Sequence, residues 1–211
     1  MREQKGIFLP DEDTATFWGK GYEIRQYNKI KPKGKLALDI GAHVGIWTRR
    51  LANDFEKVIA FEPLKKHIEC HKKNCEGLEN VTLNEVALSH KKGTNIITTR
   101  DTNSGMSTMD TPRWKWKKSF PQMIESRTLD SYKLPKIDFI KIDVEGWEEH
   151  VLEGAMKTIL KHRPRMYIEI WDKNRTYIES MLWQKMWYSV NKVSGENYIC
   201  EPMEERSTVK I

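Results

Sequence analysis

The segment at residues 36–45 constrains the fold of this chain more than any other. It reads Leu-Ala-Leu-Asp-Ile-Gly-Ala-His-Val-Gly, an apolar run that predicts a buried strand and then a turn. Glycine tolerates left-handed backbone angles, so Gly41 and Gly45 predict a sharp passage from the strand into a helix. Such a turn brings Asp39 and backbone N–H groups close to a small polar ligand. The pattern favours an α/β unit that binds a nucleoside-containing cofactor.

Strands and helices alternate along most of the chain, which predicts an α/β fold. Further strands are predicted at 57–61, 80–86, 137–143 and 166–171. Connections of this kind produce a mostly parallel sheet with right-handed crossovers. Two tail segments, 187–193 and 197–200, predict a C-terminal antiparallel hairpin that closes the sheet.

We expect residues 1–211 to form a single domain. Residues 1–34 are polar and rich in turn-forming residues, and we interpret them as an N-terminal cap near the substrate. Between 92 and 130 the pattern becomes irregular, with short strand-like pieces, and predicts a β-rich insertion.

Composition limits the classes of partner. No apolar run approaches the roughly 20 residues that span a bilayer, and the first residues lack the apolar core of a signal peptide. We therefore expect a cytoplasmic protein with no membrane insertion. Three cysteines fit a reducing compartment. The net charge of +6 permits an anionic partner without requiring one, and nothing in the composition indicates an oligomeric state.

Glu62 ends the next apolar run, at the spacing where nucleotide-binding α/β units place an acceptor for the ribose hydroxyls. Dinucleotide sites use a second glycine to admit the pyrophosphate, and His43 occupies that position here. A cofactor without pyrophosphate therefore fits better. S-adenosylmethionine has a ribose for Glu62, an amino acid end for the turn at Asp39, and no phosphate. A nicotinamide dehydrogenase is the least favoured alternative.

Five motifs in a fixed order carry a family resemblance. They lie at 38–45, 61–63, 86–89, 128–130 and 140–146, and the last, Ile-Lys-Ile-Asp-Val-Glu-Gly, is the most specific. Over residues 36–171 the chain resembles the FkbM-type S-adenosylmethionine-dependent methyltransferases. The resemblance implies a class I methyltransferase Rossmann-like fold with a mostly parallel seven-stranded sheet. It also implies methyl transfer, usually to a hydroxyl oxygen.

The same resemblance assigns cofactor contacts. The methionine end is assigned to Asp39, Gly41 and Gly45, the ribose hydroxyls to Glu62, and the adenine to Glu85, Val86 and Ala87. Their neighbours Ala42, His43 and Pro63, together with Asp143, complete the predicted cofactor set. Residues 103–107 resemble a family loop near the substrate pocket. The first 30 and last 40 residues match the family poorly, and those regions commonly shape the acceptor pocket.

Asp143 is the first candidate for a catalytic group, because it ends a strand at the ligand-binding edge. Methyl transfer is an in-line displacement in which alignment supplies much of the rate. A hydroxyl acceptor also benefits from a base or a metal ion, since an alkoxide is the better nucleophile. Glu145 and Glu169 follow as bases or as ligands of a divalent cation such as Mg²⁺, whose requirement stays open. Lys141 shares a side with Asp143 by strand alternation, and we expect a structural ion pair there.

Two further patterns have a functional and a plainer interpretation. His67, His71 and Cys75 have helical spacing and are ligand types that zinc accepts. We favour a surface helix with one buried cysteine, because no fourth ligand is evident and lysines surround the set. Residues 113–118 mix tryptophans with cations. They favour a solvated flap, with binding of a nucleic acid or an anionic glycan as the alternative.

The predicted function is therefore O-methylation of a hydroxyl on a small-molecule or saccharide acceptor. The first alternative is an RNA 2′-O-methyltransferase that holds its strand with residues 113–118. The second is a non-catalytic, cofactor-binding adaptor that keeps the same fold.

Overall fold

A computed structural model describes residues 1–11, 22–100, 104–110 and 119–204. Its strands are β1 (Arg2–Gln4), β2 (Ile7–Leu9), β3 (Gly34–Ile40), β4 (Phe55–Phe61), β5 (Val81–Asn84), β6 (Ala87–Leu88), β7 (Gly93–Arg100), β8 (Ser119–Arg127), β9 (Phe139–Ile142), β10 (Arg165–Glu169), β11 (Tyr188–Ser194) and β12 (Asn197–Pro202). Its α-helices are α1 (Tyr22–Ile30), α2 (Ile46–Asp54), α3 (Lys65–Asn74), α4 (Glu148–Glu153), α5 (Met156–His162) and α6 (Asp172–Ser180).

Seven strands form the central sheet in the order β11-β12-β10-β9-β3-β4-β5. Every pair from β10 to β5 is parallel, whereas β12 runs antiparallel to both β10 and β11. This arrangement confirms the predicted α/β class with a mostly parallel seven-stranded sheet. The predicted closing hairpin is also present, as β11 and β12.

Strand β3 lies at the centre of the sheet and is buried on both faces, as parallel strands in α/β proteins are. Its residues Leu36, Leu38 and Ile40 belong to the larger apolar core, which α4 and α5 cover. The alternate face carries Ala37, which belongs to a smaller core with Trp47 of α2. Because the side chains alternate, Asp39 is directed toward this second face, beside α2.

A separate three-stranded sheet, in the order β6-β8-β7, follows β5. Buried Ile97 and Ile124 of this sheet pack with Ala87 and with Leu64, next to α3. Strands β7 and β8 fall within the segment predicted to be β-rich, and they are longer than the short pieces that the sequence indicated. The predicted strand at 80–86 is wrong in its extent. Strand β5 ends at Asn84, and the next residues form β6, which pairs with β8 in the other sheet.

Helix α6 continues into a π-helical turn, Met181–Lys185. In the segments that the structure describes, no helix has the length and apolar character needed to cross a bilayer.

Candidate functional site

A cavity of about 250 Å³ opens at the carboxyl edge of the central sheet, where β3 and β9 lie side by side. The chain continues from β3 toward one edge of the sheet and from β9 toward the other. This reversal is the topological switch point at which open α/β sheets bind ligands. The predicted site residues that line the cavity are Gly41, Ala42, His43, Glu62, Pro63, Val86, Ala87, Asp143, Glu145 and Glu169.

The amides of the turn after β3 are directed into the protein. The N–H groups of Gly41 and Ala42 both donate to the carbonyl oxygen of Phe61, at 3.1 and 3.0 Å. The N–H of His43 donates to a carboxylate oxygen of Glu62 at 2.9 Å. These three residues line the cavity, but each of their N–H groups already has a partner inside the protein.

Neighbouring atoms lie so close to both glycines of the turn that a side chain would not fit at either position. At Gly41 φ is +76°, and a β-carbon there would lie 1.8 Å from the carbonyl oxygen of Asp143. A β-carbon at Gly45 would lie 2.9 Å from the ring of His71 and 3.0 Å from Cys75 Sγ. The first glycine allows the ends of β3 and β9 to meet, and the second allows α3 to pack behind the turn. Gly45 does not line the cavity.

Asp39 is fully buried behind the turn. Its Oδ2 accepts a hydrogen bond from Thr48 Oγ1 at 2.6 Å, and its Oδ1 lies 3.3 Å from Lys141 Nζ. Lys141 also donates to the carbonyl oxygen of Gly41 at 2.9 Å and lies 3.4 Å from Asp143 Oδ2. The expected ion pair between Lys141 and Asp143 is present. Lys141 thus ties the ends of β3 and β9 together, and Asp39 supports the turn from behind.

Glu62 is 4% exposed and holds three hydrogen-bond partners. Its Oε1 accepts from the amide of Leu64 at 3.0 Å and lies 3.1 Å from His67 Nδ1, while Oε2 accepts from the amide of His43. Burial alone would raise the pKa of Glu62, but the interactions with His67 and with the two amides outweigh it and lower the pKa. An ionised carboxylate offers about four acceptor positions, and the described residues occupy three of them, so one position on Oε2 suits a ligand hydroxyl.

Helix α3 is more deeply buried than the sequence indicated. His67 and His71 are 2% and 1% exposed, and Cys75, just after the helix, is 8% exposed. The prediction of a surface helix with one buried cysteine is therefore wrong. His71 Nε2 lies 3.0 Å from Thr48 Oγ1, so this histidine continues the hydrogen-bonded chain that begins at Asp39. Among the described residues, these three do not form a metal-ligand cluster.

Asp143, Glu145 and Glu169 come together at the cavity from the ends of β9 and β10. Each offers a carboxylate oxygen, and the three oxygens lie within 4.8 Å of one another. Burial raises the pKa of Glu145 well above its usual range, and the charges of Glu169 and Asp143 raise it further. Burial and the charge of Asp143 likewise raise the pKa of Glu169. Such a group either shares a proton or binds a cation.

The backbone that carries these carboxylates is held in an uncommon conformation. Glu145 has φ of +54°, which few residues other than glycine adopt, and its carbonyl oxygen accepts a hydrogen bond from the Thr108 hydroxyl. Glu148 is fully buried, and its Oε1 accepts from the amides of Val144 and Gly146 at 3.2 and 3.0 Å. Burial raises the pKa of Glu148 to about 8. The loop after β9 is thus fixed from behind.

Glu169 is oriented by Trp171, whose indole N–H donates to Glu169 Oε2 at 3.3 Å. The same indole ring packs on Gly146, where a β-carbon would lie 2.8 Å from it. His43, at the opposite side of the site, packs edge-on against the ring of His67 at 4.2 Å. Burial and the nearby His67 lower the pKa of His43 well below its usual range, so His43 presents a neutral ring to the cavity.

Not every predicted site residue reaches the cavity. The side chain of Glu85 is exposed, forms an ion pair with Lys72 at 2.5 Å and is not part of the cavity lining. In the predicted substrate loop at 103–107, Gly105 and Ser107 line the cavity, whereas residue 103 lies outside the described residues. Residues 113–118 also lie outside them.

Several cavity residues carried no functional signal in the sequence, among them Gln26, Trp47, Tyr167 and Asn197. Gln26 comes from α1 and Asn197 from the closing hairpin, so both chain ends contribute to the cavity. Gln26 is 3% exposed and donates to Ser194 Oγ at 2.6 Å, while its Oε1 has no hydrogen-bond partner among the described residues. Trp47 and Tyr167 stack with ring centroids 5.0 Å apart. Only folding brings these distant positions together.

A family model described as the methyltransferase FkbM domain matches residues 39–188. That range contains the carboxyl ends of β3 and β9, which form the switch point, and all three clustered carboxylates. No curated protein sequence matches the chain.

Several solved structures share the fold. An FkbM methyltransferase from Methylobacillus flagellatus is 17% identical with a TM-score of 0.54; the match covers 80% of this chain and 42% of that protein. An rRNA methylase from Streptococcus thermophilus is 14% identical with a TM-score of 0.51, covering 86% and 95% of the two chains. A Streptococcus mutans protein described as a methyltransferase, in complex with SAH, is 14% identical with a TM-score of 0.50, covering 84% and 94%. At these identities the similarity shows the fold alone.

Proposed function

Because the chain belongs to the FkbM methyltransferase family, we propose that it transfers a methyl group from S-adenosylmethionine to a hydroxyl of a small-molecule or saccharide acceptor. The observation that supports this proposal is a cluster of three carboxylates in the wall of the cavity, at the switch point of the sheet. The match covers only 42% of the FkbM methyltransferase from Methylobacillus flagellatus. The activity and the acceptor are therefore proposed from this chain's own residues.

The cavity has groups that suit each part of the cofactor. The free acceptor position on Glu62 suits a ribose hydroxyl, and the apolar side chains of Phe61, Val86 and Leu88 suit the adenine ring. The carboxylate of Asp143 suits the positive charges of the ammonium and the sulfonium. When bound, the cofactor supplies a methyl group on a positively charged sulfur, which leaves as a neutral thioether.

The carboxylate cluster then has the role of accepting the proton of the acceptor hydroxyl. A base works best when its pKa lies near the working pH, and the pKa values of Glu145 and Glu169 are raised in that direction. Asp143, next to Lys141, is our candidate for the group nearest the transferred methyl. Alignment of the hydroxyl against the methyl supplies much of the remaining rate.

The same cluster suits a divalent cation. Three carboxylate oxygens within 4.8 Å are ligands that Mg²⁺ or Mn²⁺ accepts, and a cation would relieve their mutual repulsion. Asp143, Glu145 and Glu169 would hold such an ion, which would make a bound hydroxyl more acidic.

The acceptor side of the cavity favours a hydroxylated, uncharged molecule. Oε1 of Gln26 has no partner within the described part of the chain and suits a donor such as a sugar hydroxyl, because an unsatisfied buried acceptor costs about 1–3 kcal/mol. The rings of Trp47 and Tyr167 provide an apolar surface beside it. Three neighbouring carboxylates would repel the phosphates of RNA, so we place the RNA 2′-O-methyltransferase second.

Calorimetric titration with SAH tests the cofactor assignment directly. We expect binding with a Kd in the range of about 1–100 μM, and no heat at about 1 mM ligand would contradict the proposal.

Labelled S-adenosylmethionine offered to glycans, lipids and RNAs then identifies the acceptor. Transfer to RNA that is lost on charge reversal of Lys115, Lys117 and Lys118 would favour the RNA alternative. Binding without transfer to any acceptor would favour the adaptor.

A further inference from the structure

A second cluster of metal-ligating side chains lies outside the cavity, where α4 meets the loop after β6. His90, His150 and Glu153 each offer one ligand atom, and the three atoms lie within 4.8 Å of one another. We propose that these residues form a surface site for Zn²⁺ that fastens this loop to α4. Two imidazoles and one carboxylate are a ligand set that zinc uses, with a fourth position open to water.

His150 is already oriented as a ligand. Its Nδ1 is buried, has no hydrogen-bond partner among the described residues and lies 3.6 Å from Glu153 Oε2. Its Nε2 lies 3.6 Å from Glu149 Oε1 on the other side of the ring. Metal-binding histidines generally direct their second nitrogen to a carboxylate, which fixes the tautomer. The nearby charge of Glu149 favours a proton on Nε2, which leaves the Nδ1 lone pair on the side of Glu153.

The other partner on α4 is oriented in the same way. The hydroxyl of Tyr177 donates to Glu153 Oε1 at 2.9 Å, which leaves Oε2 on the side of His150. The ring of Trp147 packs against the ring of His150 with centroids 3.9 Å apart. Both ligands on the helix therefore have a neighbour that limits their movement.

The third ligand comes from a backbone segment that α4 holds in place. The indole N–H of Trp147 donates to Ser89 Oγ at 3.1 Å. A β-carbon at Gly154 would lie 2.0 Å from the carbonyl oxygen of Ser89, so the two backbones touch. His90 follows directly, and its ring centroid lies 4.9 Å from that of His150. Its backbone is fixed, and its exposed ring lies beside Ser89, whose Oγ is 3.3 Å from His90 Nδ1.

A small rotation of His90 completes the site. Bonds of about 2.0–2.1 Å to a tetrahedral ion place ligand atoms about 3.4 Å apart, somewhat closer than the 3.6 Å between His150 Nδ1 and Glu153 Oε2. The site differs in chemistry from the cluster at Asp143, which offers oxygen ligands only and favours Mg²⁺ or Mn²⁺. Since Leu88 of the cavity wall is two residues from His90, an ion here also stabilises that wall. The proposal is independent of the methyl-transfer function.

Calorimetric titration of ZnCl₂ into the tag-free protein tests the site. We expect one equivalent of Zn²⁺ to bind with a Kd on the order of 1 μM, weaker than at four-ligand sites, and to raise the Tm. His90→Ala and Glu153→Gln should each weaken binding at least about 100-fold. Lys91→Ala, an exposed neighbour, is the matched control and should bind as the wild type does.

Two results would overturn the proposal. The first is no saturable binding at about 100 μM Zn²⁺, which is far above the expected Kd. The second is binding that survives both His90→Ala and Glu153→Gln, since the ion would then lie elsewhere. Asp143→Asn should retain zinc affinity; its loss in that variant, with retention in His90→Ala, would assign the ion to the cavity carboxylates. The Tm of metal-free His90→Ala should equal that of the wild type, because His90 is exposed.

Discussion

Two groups of acidic residues end the central strands, and they differ in what surrounds them. Asp39 and Glu62 lie at the ends of β3 and β4, where a hydroxyl, a histidine, a lysine and two amides surround their oxygens. Asp143, Glu145 and Glu169 lie at the ends of β9 and β10, where their nearest charged neighbours include one another.

The pKa shifts follow this difference. The partners of Glu62 lower its pKa despite burial, whereas burial and like charges raise the pKa values of Glu145 and Glu169. A carboxylate at a strand end therefore supports the fold where donors surround it. A strand-end carboxylate that few donors surround is available for chemistry, since raised pKa values of this kind are common at functional sites.

The two groups meet where Gly41, after β3, packs against the backbone of Asp143, after β9. We expect the largest loss of stability from a substitution at this contact. Gly41→Ala should destabilise the protein by at least about 4 kcal/mol, because the new β-carbon would overlap the backbone carbonyl of Asp143. Urea denaturation followed by circular dichroism measures the loss. Gly77→Ala is the control: φ is +82° there, and no atom lies within 4 Å of the added carbon. That variant should cost only about 1–2 kcal/mol, and equal costs at the two positions would contradict the close approach.

Asp143→Asn separates chemistry from fold in the second group. We expect turnover to fall by about 100-fold, with SAH binding still measurable, because the amide no longer takes part in accepting a proton. Single-turnover transfer from labelled S-adenosylmethionine measures the effect. Asp172→Asn, an exposed carboxylate on α6, should leave turnover unchanged. Unchanged turnover in Asp143→Asn would remove Asp143 from the catalytic role.

Glu62→Gln tests the first group. Both oxygens of Glu62 accept from N–H groups, and an amide is able to accept on one side only, so we expect a loss of about 2 kcal/mol. Because the folded-state pKa lies below the ordinary value of 4.5, the contribution of Glu62 is complete above that pH. It disappears as the pH falls through the lowered pKa. Denaturation curves at several pH values should therefore converge in acid; a constant difference would contradict the shift.

Glu145→Gln should have the smallest effect and the opposite sign. The raised pKa of Glu145 means that its ionisation in the folded protein costs stability once the pH exceeds the ordinary value of 4.5. The variant should therefore gain stability near neutral pH, by less than Glu62→Gln loses, and gain nothing in acid. Glu56→Gln, an exposed residue of β4, is the control. A destabilised Glu145→Gln would show that this carboxylate supports the fold instead.

Much of the fold was predictable because its signals are local. The apolar runs and the turn residues at 41 and 45 predict β3, β4 and the helix between them. The break between β5 and β6 was missed, since pairing with β8 decides it and apolar content does not. The burial of His67 and His71 was missed for a similar reason: lysines mark one side of α3 as solvated, but they carry no information about what covers the other side.

The amino-acid sequence alone determined the fold class, the family and the edge of the sheet where ligands bind, since these depend on periodicity and on short motifs such as the segment at 140–146. The tertiary structure decided which strand-end carboxylates support the turn and which face the cavity. It also brought Gln26 and Asn197 to the acceptor side. A residue's chemistry depends on the donors and charges within a few ångströms of it, and those neighbours come from elements far apart in the chain.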